Sequence, residues 1–175
     1  MKESQTGPRV DPTVAVGLGS NRGNRLANLR FGVTRLRGYL EGLSISSVYE
    51  TRPMYYRDQP WFLNACVTGR TRLSARQLLS ELQDCERAAG RRPARQRWGP
   101  RTLDLDVLLY GDHVVREPRL VIPHPRLHER AFVLVPLAEI APEWVVPGPT
   151  GDAETVATLA ARIDGSGVEK LEEAL

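Results

Sequence analysis

The order of the periodic segments along the chain constrains its fold more than any other feature of the sequence. Apolar residues recur at helical spacing in two long segments, whereas the other apolar segments are short and β-branched or alternating, as in strands. Asn24 is placed to cap the first helix, and Gly90 is placed to end the second. The predicted elements are, in order, a strand over 13–18, a helix over 24–40, strands over 43–51 and 61–71, a helix over 74–89 and a strand over 104–110.

This β-α-β-β-α-β order predicts an α+β fold of the ferredoxin-like type, in which the strands form an antiparallel sheet. Both helices then lie on one face of the sheet, and we expect the other face to be free for a ligand. We expect Gly19 to break the first strand. After the last of these strands we expect a small hairpin over 113–122, a helix within 123–140 that Pro136 interrupts, and a final helix over 154–163.

Length and composition favour one domain. The chain has 175 residues, of which 41% are apolar, and this is enough for one hydrophobic core. The sequence contains no internal repeat, low-complexity segment or obvious linker. We therefore expect a single domain over residues 13–175, preceded by a flexible polar tail over residues 1–12, and we expect a monomer.

Several features predict a cytoplasmic protein. The N-terminus is polar and lacks the apolar segment of a signal peptide, and no segment approaches the roughly 18 apolar residues that a membrane span needs. The two cysteines, Cys66 and Cys85, have no metal-ligand spacing, so we expect free, buried thiols in a reducing compartment.

The positive charge of the chain is local. The net charge at pH 7 is only +3, and the rest of the chain is slightly acidic once one arginine-rich segment is set aside. A local basic segment is expected for a small anionic ligand rather than for a long nucleic acid. The arginines of that segment are Arg91, Arg92, Arg95, Arg97 and Arg101.

Two aspartates with D-x-D spacing follow directly after these arginines. Asp104 and Asp106 open the apolar strand, and alternate residues of a strand share a face, so both carboxylates should point the same way. Such a pair suits Mg²⁺, which binds through one or two carboxylates and substrate phosphates, while guanidinium groups match phosphate oxygens. The pattern favours a metal-assisted reaction on a polyphosphate. The alternative is a solvated strand edge with a salt bridge to Arg97 or Arg101.

Four segments together resemble one enzyme family. They are GSN (19–21), DQPWFLNACV (58–67), RWGPRTLDLDVLLYG (98–111) and IPHPRLHERAFVLVPLAEIAP (122–142). The chain resembles 6-hydroxymethyl-7,8-dihydropterin pyrophosphokinase from about Val14 to Pro147. This resemblance implies transfer of the β,γ-diphosphate of ATP to the hydroxymethyl group of the pterin, with release of AMP, in folate biosynthesis.

The resemblance also implies roles for the charged residues. Asp104 and Asp106 match the ligands of two Mg²⁺ ions, and Arg91 and Arg101 match phosphate-binding, catalytic positions. The arginine segment departs from the family pattern, because Pro93 and Ala94 stand where relatives carry basic residues. We expect this segment to be a mobile lid that closes over nucleotide. The residues expected to bind ATP are Gln83, Arg91, Trp98, Arg101, Val107, Arg119, His124 and Arg130.

The pterin site follows from the same resemblance. Phe62 and Phe132 match two stacking positions, against the alternative that both are ordinary core residues. Asn64 shares a strand face with Phe62 and matches the amide that hydrogen bonds to the pterin edge. The segment after the second strand completes the expected pterin-binding set, which is Thr51, Pro53, Met54, Phe62, Asn64 and Phe132.

Two other functions remain as alternative hypotheses. The same fold order occurs in nucleic-acid-binding modules, in which aromatic side chains of the sheet stack on bases. The chain lacks the aromatic pattern of those modules, and its D-x-D carboxylates would repel phosphates without a metal. A non-catalytic relative that kept the fold as an interaction domain is the other alternative.

Overall fold

An antiparallel sheet forms the centre of the fold. The computed structural model describes residues 11–54, 58–90, 99–148 and 152–175. The strands within these ranges are β1 (Thr13–Ser20), β2 (Glu41–Ile45), β3 (Tyr49–Thr51), β4 (Phe62–Arg70), β5 (Asp104–Tyr110), β6 (Val115–Glu117), β7 (Leu120–Ile122), β8 (Val145–Pro147), β9 (Ala153–Thr155) and β10 (Val168–Lys170).

The central sheet has the order β10-β3-β4-β1-β5, and β2 also pairs with β4. All of these pairings are antiparallel. The six predicted elements of the β-α-β-β-α-β order therefore fold as the ferredoxin-like arrangement requires, and the α+β prediction is confirmed. The outermost strand, β10, adds an edge to β3 that the sequence did not predict.

Two capped helices cover one face of the sheet. Helix α1 (Arg25–Leu36) begins after Asn24, whose side chain accepts a hydrogen bond from the backbone of Ala27, as predicted. Helix α2 (Ala75–Ala88) begins with a capping box between Ser74 and Gln77. Gly90 follows α2 with a φ of +87°, a conformation that favours glycine.

The first hydrophobic core lies between these helices and the sheet. Alternate residues of β1 point into it, and leucines of both helices meet them from the other side. Most of its members are aliphatic and almost completely buried, so the helices and the sheet close over this face. The members of this core include Val14, Val16, Leu18, Leu29, Val33, Leu36, Leu78, Leu82, Leu105 and Val107.

The second face is only partly open, which corrects the expectation of a free face. Helices α3 (Ala131–Ile140) and α4 (Val156–Arg162) follow β7 and β9, and α3 packs on β4. A second core forms there because β1 and β4 present small side chains, Ala15 and Cys66, on which α3 can pack closely. Its larger members are Leu108, Leu109, Leu127, Val133, Leu134, Leu137, Val146, Val156 and Leu159.

Several predicted elements differ in detail. Strand β1 continues through Gly19 to Ser20, so this glycine does not break it. Helix α3 also continues through Pro136, because burial of its apolar face offsets the backbone hydrogen bond that proline lacks. The predicted strand 43–51 is two strands. Residues 46–48 separate them, and the hydroxyl of Ser46 accepts a hydrogen bond from the Cys66 backbone in place of a strand carbonyl.

The remaining segments complete the chain. Strands β6 and β7 form the predicted hairpin, and the unpredicted strands β8 and β9 form a second one. Cys66 and Cys85 are buried and free, as predicted. The predicted tail falls mainly on residues 1–10, outside the described ranges, while Pro12 accepts a hydrogen bond from Thr71. Among the helices in the described ranges, none is long and apolar enough to span a membrane.

Candidate active site

A cavity of about 410 Å³ opens on the second face of the sheet, beside the N-terminal end of α3. It gathers residues that are far apart in the sequence, from β1, β3, β4, β5 and the segment before α3. Most of the site residues predicted from the sequence line it. These are Thr51, Pro53, Met54, Phe62, Asn64, Arg101, Asp104, Asp106, His124, Arg130 and Phe132.

Two glycines of β1 form the floor of the cavity. Gly19 lies opposite Asn64 on β4 and Asp104 on β5, and Gly17 lies opposite Asp106. A Cβ atom at Gly19 would lie 3.0 Å from the amide nitrogen of Asn64, closer than packing allows without displacement. The central strand therefore contributes only backbone here, and side chains of its neighbours meet above it.

The aspartates point into the cavity together. Asp104 and Asp106 both line it, as the alternation along β5 predicted, whereas Leu105 and Val107 point into the first core. The backbone N–H of Leu105 donates a 2.8 Å hydrogen bond to the buried carboxylate of Glu86 on α2. This contact fixes the edge of β5 at the residue between the two aspartates.

Cationic side chains surround these carboxylates. Arg101 forms an ion pair with Asp104. Arg130 is 8% exposed, and its Nη1 lies 3.5 Å from Oδ2 of Asp106. Its Nε is buried without a hydrogen-bond partner among the described residues, and its guanidinium lies 5.4 Å from the centre of the Phe132 ring. The salt bridge of the alternative hypothesis thus exists at Arg101, but it lines a cavity instead of a solvated edge.

His124 is held in one orientation by the backbone. Its own N–H donates to the carbonyl oxygen of Leu108 at 2.9 Å, and its Nδ1 accepts a hydrogen bond from the backbone N–H of Arg126 at 3.1 Å. Burial, together with the charge of Arg130, lowers the pKa of His124 to about 4, so the imidazole is neutral at pH 7. Because Nδ1 is an acceptor, the proton lies on Nε2, which is 3.9 Å from Asp106.

The GSN segment fixes the backbone around Arg101. The buried Asn21 accepts a 2.7 Å hydrogen bond from the N–H of Arg101, and its own N–H donates to the Arg101 carbonyl at 3.0 Å. Its amide nitrogen also donates to Gln59 and to the carbonyl of Pro60. One buried side chain therefore ties together two segments that border the cavity.

The other end of the cavity carries the residues predicted to bind pterin. Phe62 and Phe132 both line it, on β4 and near the start of α3, and Phe132 also packs against the second core. Asn64 also lines the cavity, opposite Gly19 of the floor, and its Oδ1 accepts a 2.6 Å hydrogen bond from the hydroxyl of Thr51. Pro53 and Met54 continue the wall from Thr51.

Some predicted nucleotide-binding residues do not line this cavity. Gln83 is exposed on α2, Arg119 is exposed in the turn between β6 and β7, and the side chain of Val107 is buried in the first core. A nucleotide could contact Val107 only through its backbone. Arg91 and Trp98, with the rest of the arginine segment from 91 to 98, lie outside the described residues.

Other residues that line the cavity were not predicted from the sequence. Gly17 and Gly19 carry a detectable signal, because G-x-G within a β-branched strand places both glycines on one face. Arg126 lies within the segment 122–142 that carries the family resemblance, and its positive charge is close enough to lower the pKa of His124. Arg52, Gln59, Gly99 and Pro125 also line the cavity, and no pattern in the sequence distinguishes them.

The carboxylates of the cavity fit a hard cation whose remaining ligands come from substrate and water. In the described ranges, no three or more histidine, cysteine, aspartate or glutamate residues form a group that could hold a metal ion. Two carboxylates on one face, beside arginines, match instead a Mg²⁺ site completed by phosphate and water oxygens.

Comparisons with known proteins identify the family of the chain. The family model described as 7,8-dihydro-6-hydroxymethylpterin-pyrophosphokinase (HPPK) matches residues 15–142. A 2-amino-4-hydroxy-6-hydroxymethyldihydropteridine pyrophosphokinase of Methylorubrum extorquens is 45% identical over 159 residues, covering 90% of this chain and 97% of the relative. The Bacillus subtilis protein of the same name is 45% identical over 127 residues, which is 71% of this chain and 75% of that protein.

Solved structures show the same fold. The crystal structure of wild-type HPPK-DHPS from Plasmodium falciparum aligns with a TM-score of 0.69 at 14% identity over 90% of this chain. This chain spans only 44% of that longer protein, so the comparison supports the fold alone. The family model matches most of the length of this chain, and the Methylorubrum extorquens relative aligns over almost its whole length. The chain therefore belongs to the HPPK family of pyrophosphokinases, which act in folate biosynthesis.

Proposed function

We propose that the cavity binds ATP and 6-hydroxymethyl-7,8-dihydropterin side by side and transfers the β,γ-diphosphate of ATP to the pterin hydroxyl. One observation carries this proposal: Asn64 and Asp104 lie on opposite sides of the same residue, Gly19, in the sheet. Groups suited to a pterin and groups suited to phosphate therefore lie two strands apart on one floor, close enough for two small substrates to meet.

At the phosphate end, Asp104 and Asp106 would hold two Mg²⁺ ions. When bound, these ions neutralise phosphate charge and bring the attacking and leaving oxygens into line. The aspartates are suited to this role because they share a strand face and Glu86 fixes the backbone between them. Their arginine partners compensate the two negative charges until a metal–nucleotide complex enters.

The cationic side chains bind the phosphates. Arg101 exchanges its ion pair with Asp104 for phosphate oxygens, and Asn21 keeps its backbone in place during this exchange. Arg130 offers a buried guanidinium, and neutral His124 donates from Nε2 to a phosphate oxygen. Arg101 and Arg91 would stabilise charge in the transition state, and Trp98 would close over the nucleotide.

At the pterin end, Phe62 and Phe132 stack on the ring and Asn64 hydrogen bonds to its edge. Thr51, Pro53 and Met54 form the wall beside the ring. The substrate hydroxyl then attacks the β-phosphorus, a new oxygen–phosphorus bond forms, and the bond from this phosphorus to the α-phosphate oxygen breaks. AMP leaves with that oxygen, and the hydroxyl proton passes to solvent or to a phosphate oxygen.

The alternative hypothesis of a nucleic-acid-binding module loses support from the fold. Such a module needs an open sheet face on which several bases can stack, but helix α3 covers β4 on that face. The part of this face that stays open is a cavity with two carboxylates on its wall, and these negative charges disfavour the binding of a polyanionic nucleic acid.

The assay that tests the proposal is the release of AMP. Purified protein with Mg²⁺, ATP and 6-hydroxymethyl-7,8-dihydropterin should form AMP and the pterin diphosphate in equal amounts, and omission of pterin should abolish both. Release of ADP instead would contradict diphosphate transfer, and no nucleotide turnover would contradict the enzyme assignment. Light scattering of the same sample tests the predicted monomer.

A further inference from the structure

The side-chain amide of Asn64 is held in one orientation. Its Nδ2 lies 3.3 Å from the backbone carbonyl oxygen of Leu18, and its Oδ1 lies 2.6 Å from the hydroxyl of Thr51. A carbonyl oxygen can only accept a hydrogen bond, so the amide nitrogen must face Leu18. The opposite orientation would place two oxygens in contact and would leave both unsatisfied.

Thr51 completes this arrangement from the neighbouring strand. It lies opposite Phe62 in the β3–β4 pairing, so it is diagonal to Asn64 on the same face. Both side chains are buried, at 3% exposed for Thr51 and 6% for Asn64. Because Oδ1 has no proton to give, the hydroxyl of Thr51 donates its only proton to the amide.

Gly19 completes the fit beneath the amide. With hydrogen in place of a Cβ atom, β1 lets the Asn64 amide lie close above its backbone. The amide is thus limited by Leu18, Thr51 and Gly19, which belong to β1 and β3. Few rotations remain available to it, since each would break a hydrogen bond or produce a clash.

The fixed amide offers the cavity a defined pair of groups. One N–H of Nδ2 is used by Leu18 and one lone pair of Oδ1 is used by Thr51, which leaves one donor and one acceptor side by side. The positions of this donor and this acceptor cannot be exchanged while the hydrogen bonds to Leu18 and Thr51 are kept. A ring whose edge carries an acceptor beside a donor, as aminopyrimidine and lactam edges do, matches this pair.

We propose that Thr51 is a positioning residue that sets the orientation of the Asn64 amide and thereby the affinity of the cavity for the pterin ring. This inference rests on the proposed assignment of Asn64 to the pterin. Thr51 lies in the cavity wall, and the inference adds a role for its hydroxyl that is exerted through the asparagine.

The first test compares two substitutions at this position. Thr51→Val keeps the shape and removes the hydroxyl, and Thr51→Ser keeps the hydroxyl. Pterin binding, measured by ligand fluorescence without nucleotide, should weaken about 10-fold in Thr51→Val and less than about threefold in Thr51→Ser, as expected for one buried hydrogen bond. Binding of MgATP should match wild type in both variants. Equal pterin affinity in wild type and Thr51→Val would overturn the inference.

A double-mutant cycle then separates positioning from direct contact. If Thr51 acts through Asn64, Thr51→Val should change pterin affinity by less than about twofold in an Asn64→Ala background. A full effect in that background would show that the hydroxyl contacts the ligand itself and would overturn the inference. Failure of the wild-type protein to bind the pterin would instead refute the proposed function, and this outcome is visible before any variant is made.

Discussion

Strand β1 presents opposite chemistry on the two faces of the sheet. Towards α1 and α2 it places Val14, Val16 and Leu18, and the first core closes over them completely. Towards α3 its alternate residues are Ala15, Gly17 and Gly19, and the covering helix reaches only the first of these. The difference lies in the size of the side chains. At Gly17 and Gly19, where β1 has no side chains on this face, helix α3 no longer covers the sheet and a cavity remains.

The two faces of the sheet should therefore contribute separately to stability and to activity. Changes on the α1–α2 face should alter the free energy of unfolding and spare the chemistry, while changes on the cavity face should do the reverse. Four substitutions test that division, and they are ordered by the size of the expected effect.

The largest effect is expected at the aspartates. Asp106→Asn keeps the shape of the side chain but removes the charge that we assign to metal binding, and turnover should fall by about 10³-fold. The midpoint of thermal unfolding should stay close to wild type. Steady-state AMP release and a thermal melt of the same preparation measure both quantities.

The matched control is Asp112→Asn, because Asp112 is fully exposed in the turn after β5. It should retain wild-type turnover. If Asp106→Asn keeps activity within a few-fold of wild type, the proposed metal site is wrong.

The next effect belongs to the opposite face. Leu82 on α2 is completely buried, so Leu82→Ala should destabilise the fold by about 2–5 kcal/mol by leaving a cavity in the first core. The pocket lies across the sheet, so kcat at a temperature at which the variant is folded should remain within a few-fold of wild type. Urea unfolding gives the free energy, and Val121→Ala, at a 40% exposed site, provides the control. A large loss of kcat in the folded variant would show that the two faces are coupled.

A smaller effect is expected from one methyl group on the cavity floor. Gly19→Ala adds a Cβ atom 3.0 Å from the amide nitrogen of Asn64, so the amide must shift. Pterin affinity should fall about 10-fold, the size expected when a buried hydrogen bond is lost, with MgATP affinity nearly unchanged. The control is Gly165→Ala, where a Cβ atom would meet no other atom within 4 Å. Unchanged pterin affinity in Gly19→Ala would place the ring elsewhere in the cavity.

The smallest effect concerns the covered part of the second face. Burial alone would raise the pKa of Glu139 on α3, but hydrogen bonds from Ser47, Lys170 and Tyr49 outweigh burial and lower this pKa to about 2. The pKa is depressed on folding, so the charged carboxylate stabilises the fold above its usual pKa near 4.5, and this contribution is lost as the pH falls towards 2.

Glu139→Gln should therefore cost less than about 1 kcal/mol at pH 7, since the group is partly exposed, and still less at pH 3. Urea unfolding of both proteins at the two pH values measures the difference. A cost that grows as the pH falls would contradict the assignment of the pKa shift to these hydrogen bonds.

The sequence predicted the parts of the site that depend on local periodicity. Asp104 and Asp106 share a face because side chains alternate along a strand, which is a local rule. Asn24 at the start of α1 and Gly90 after the end of α2 follow equally local rules of helix capping. Resemblance added Asn64, His124 and Arg130, whose positions depend on contacts between distant segments that no local rule encodes.

The remaining features required the tertiary structure. Helix α3 covers part of a face that the strand order leaves open, because small residues of β1 and β4 allow close packing there. The carboxylate of Glu86 meets the backbone of Leu105 across 19 positions of sequence, a contact between a helix and a strand edge that composition cannot reveal. The predictions for Arg91 and Trp98 stay predictions, because both fall outside the described residues.

The glycine floor has a consequence for inhibitors. A compound that rests on Gly17 and Gly19 touches main-chain atoms, which are the same whatever amino acid the gene encodes. Resistance through these positions would require an added side chain, and at Gly19 that side chain would displace the amide that we assign to the natural substrate. Compounds anchored to the floor should therefore meet fewer escape mutations than compounds anchored to the walls.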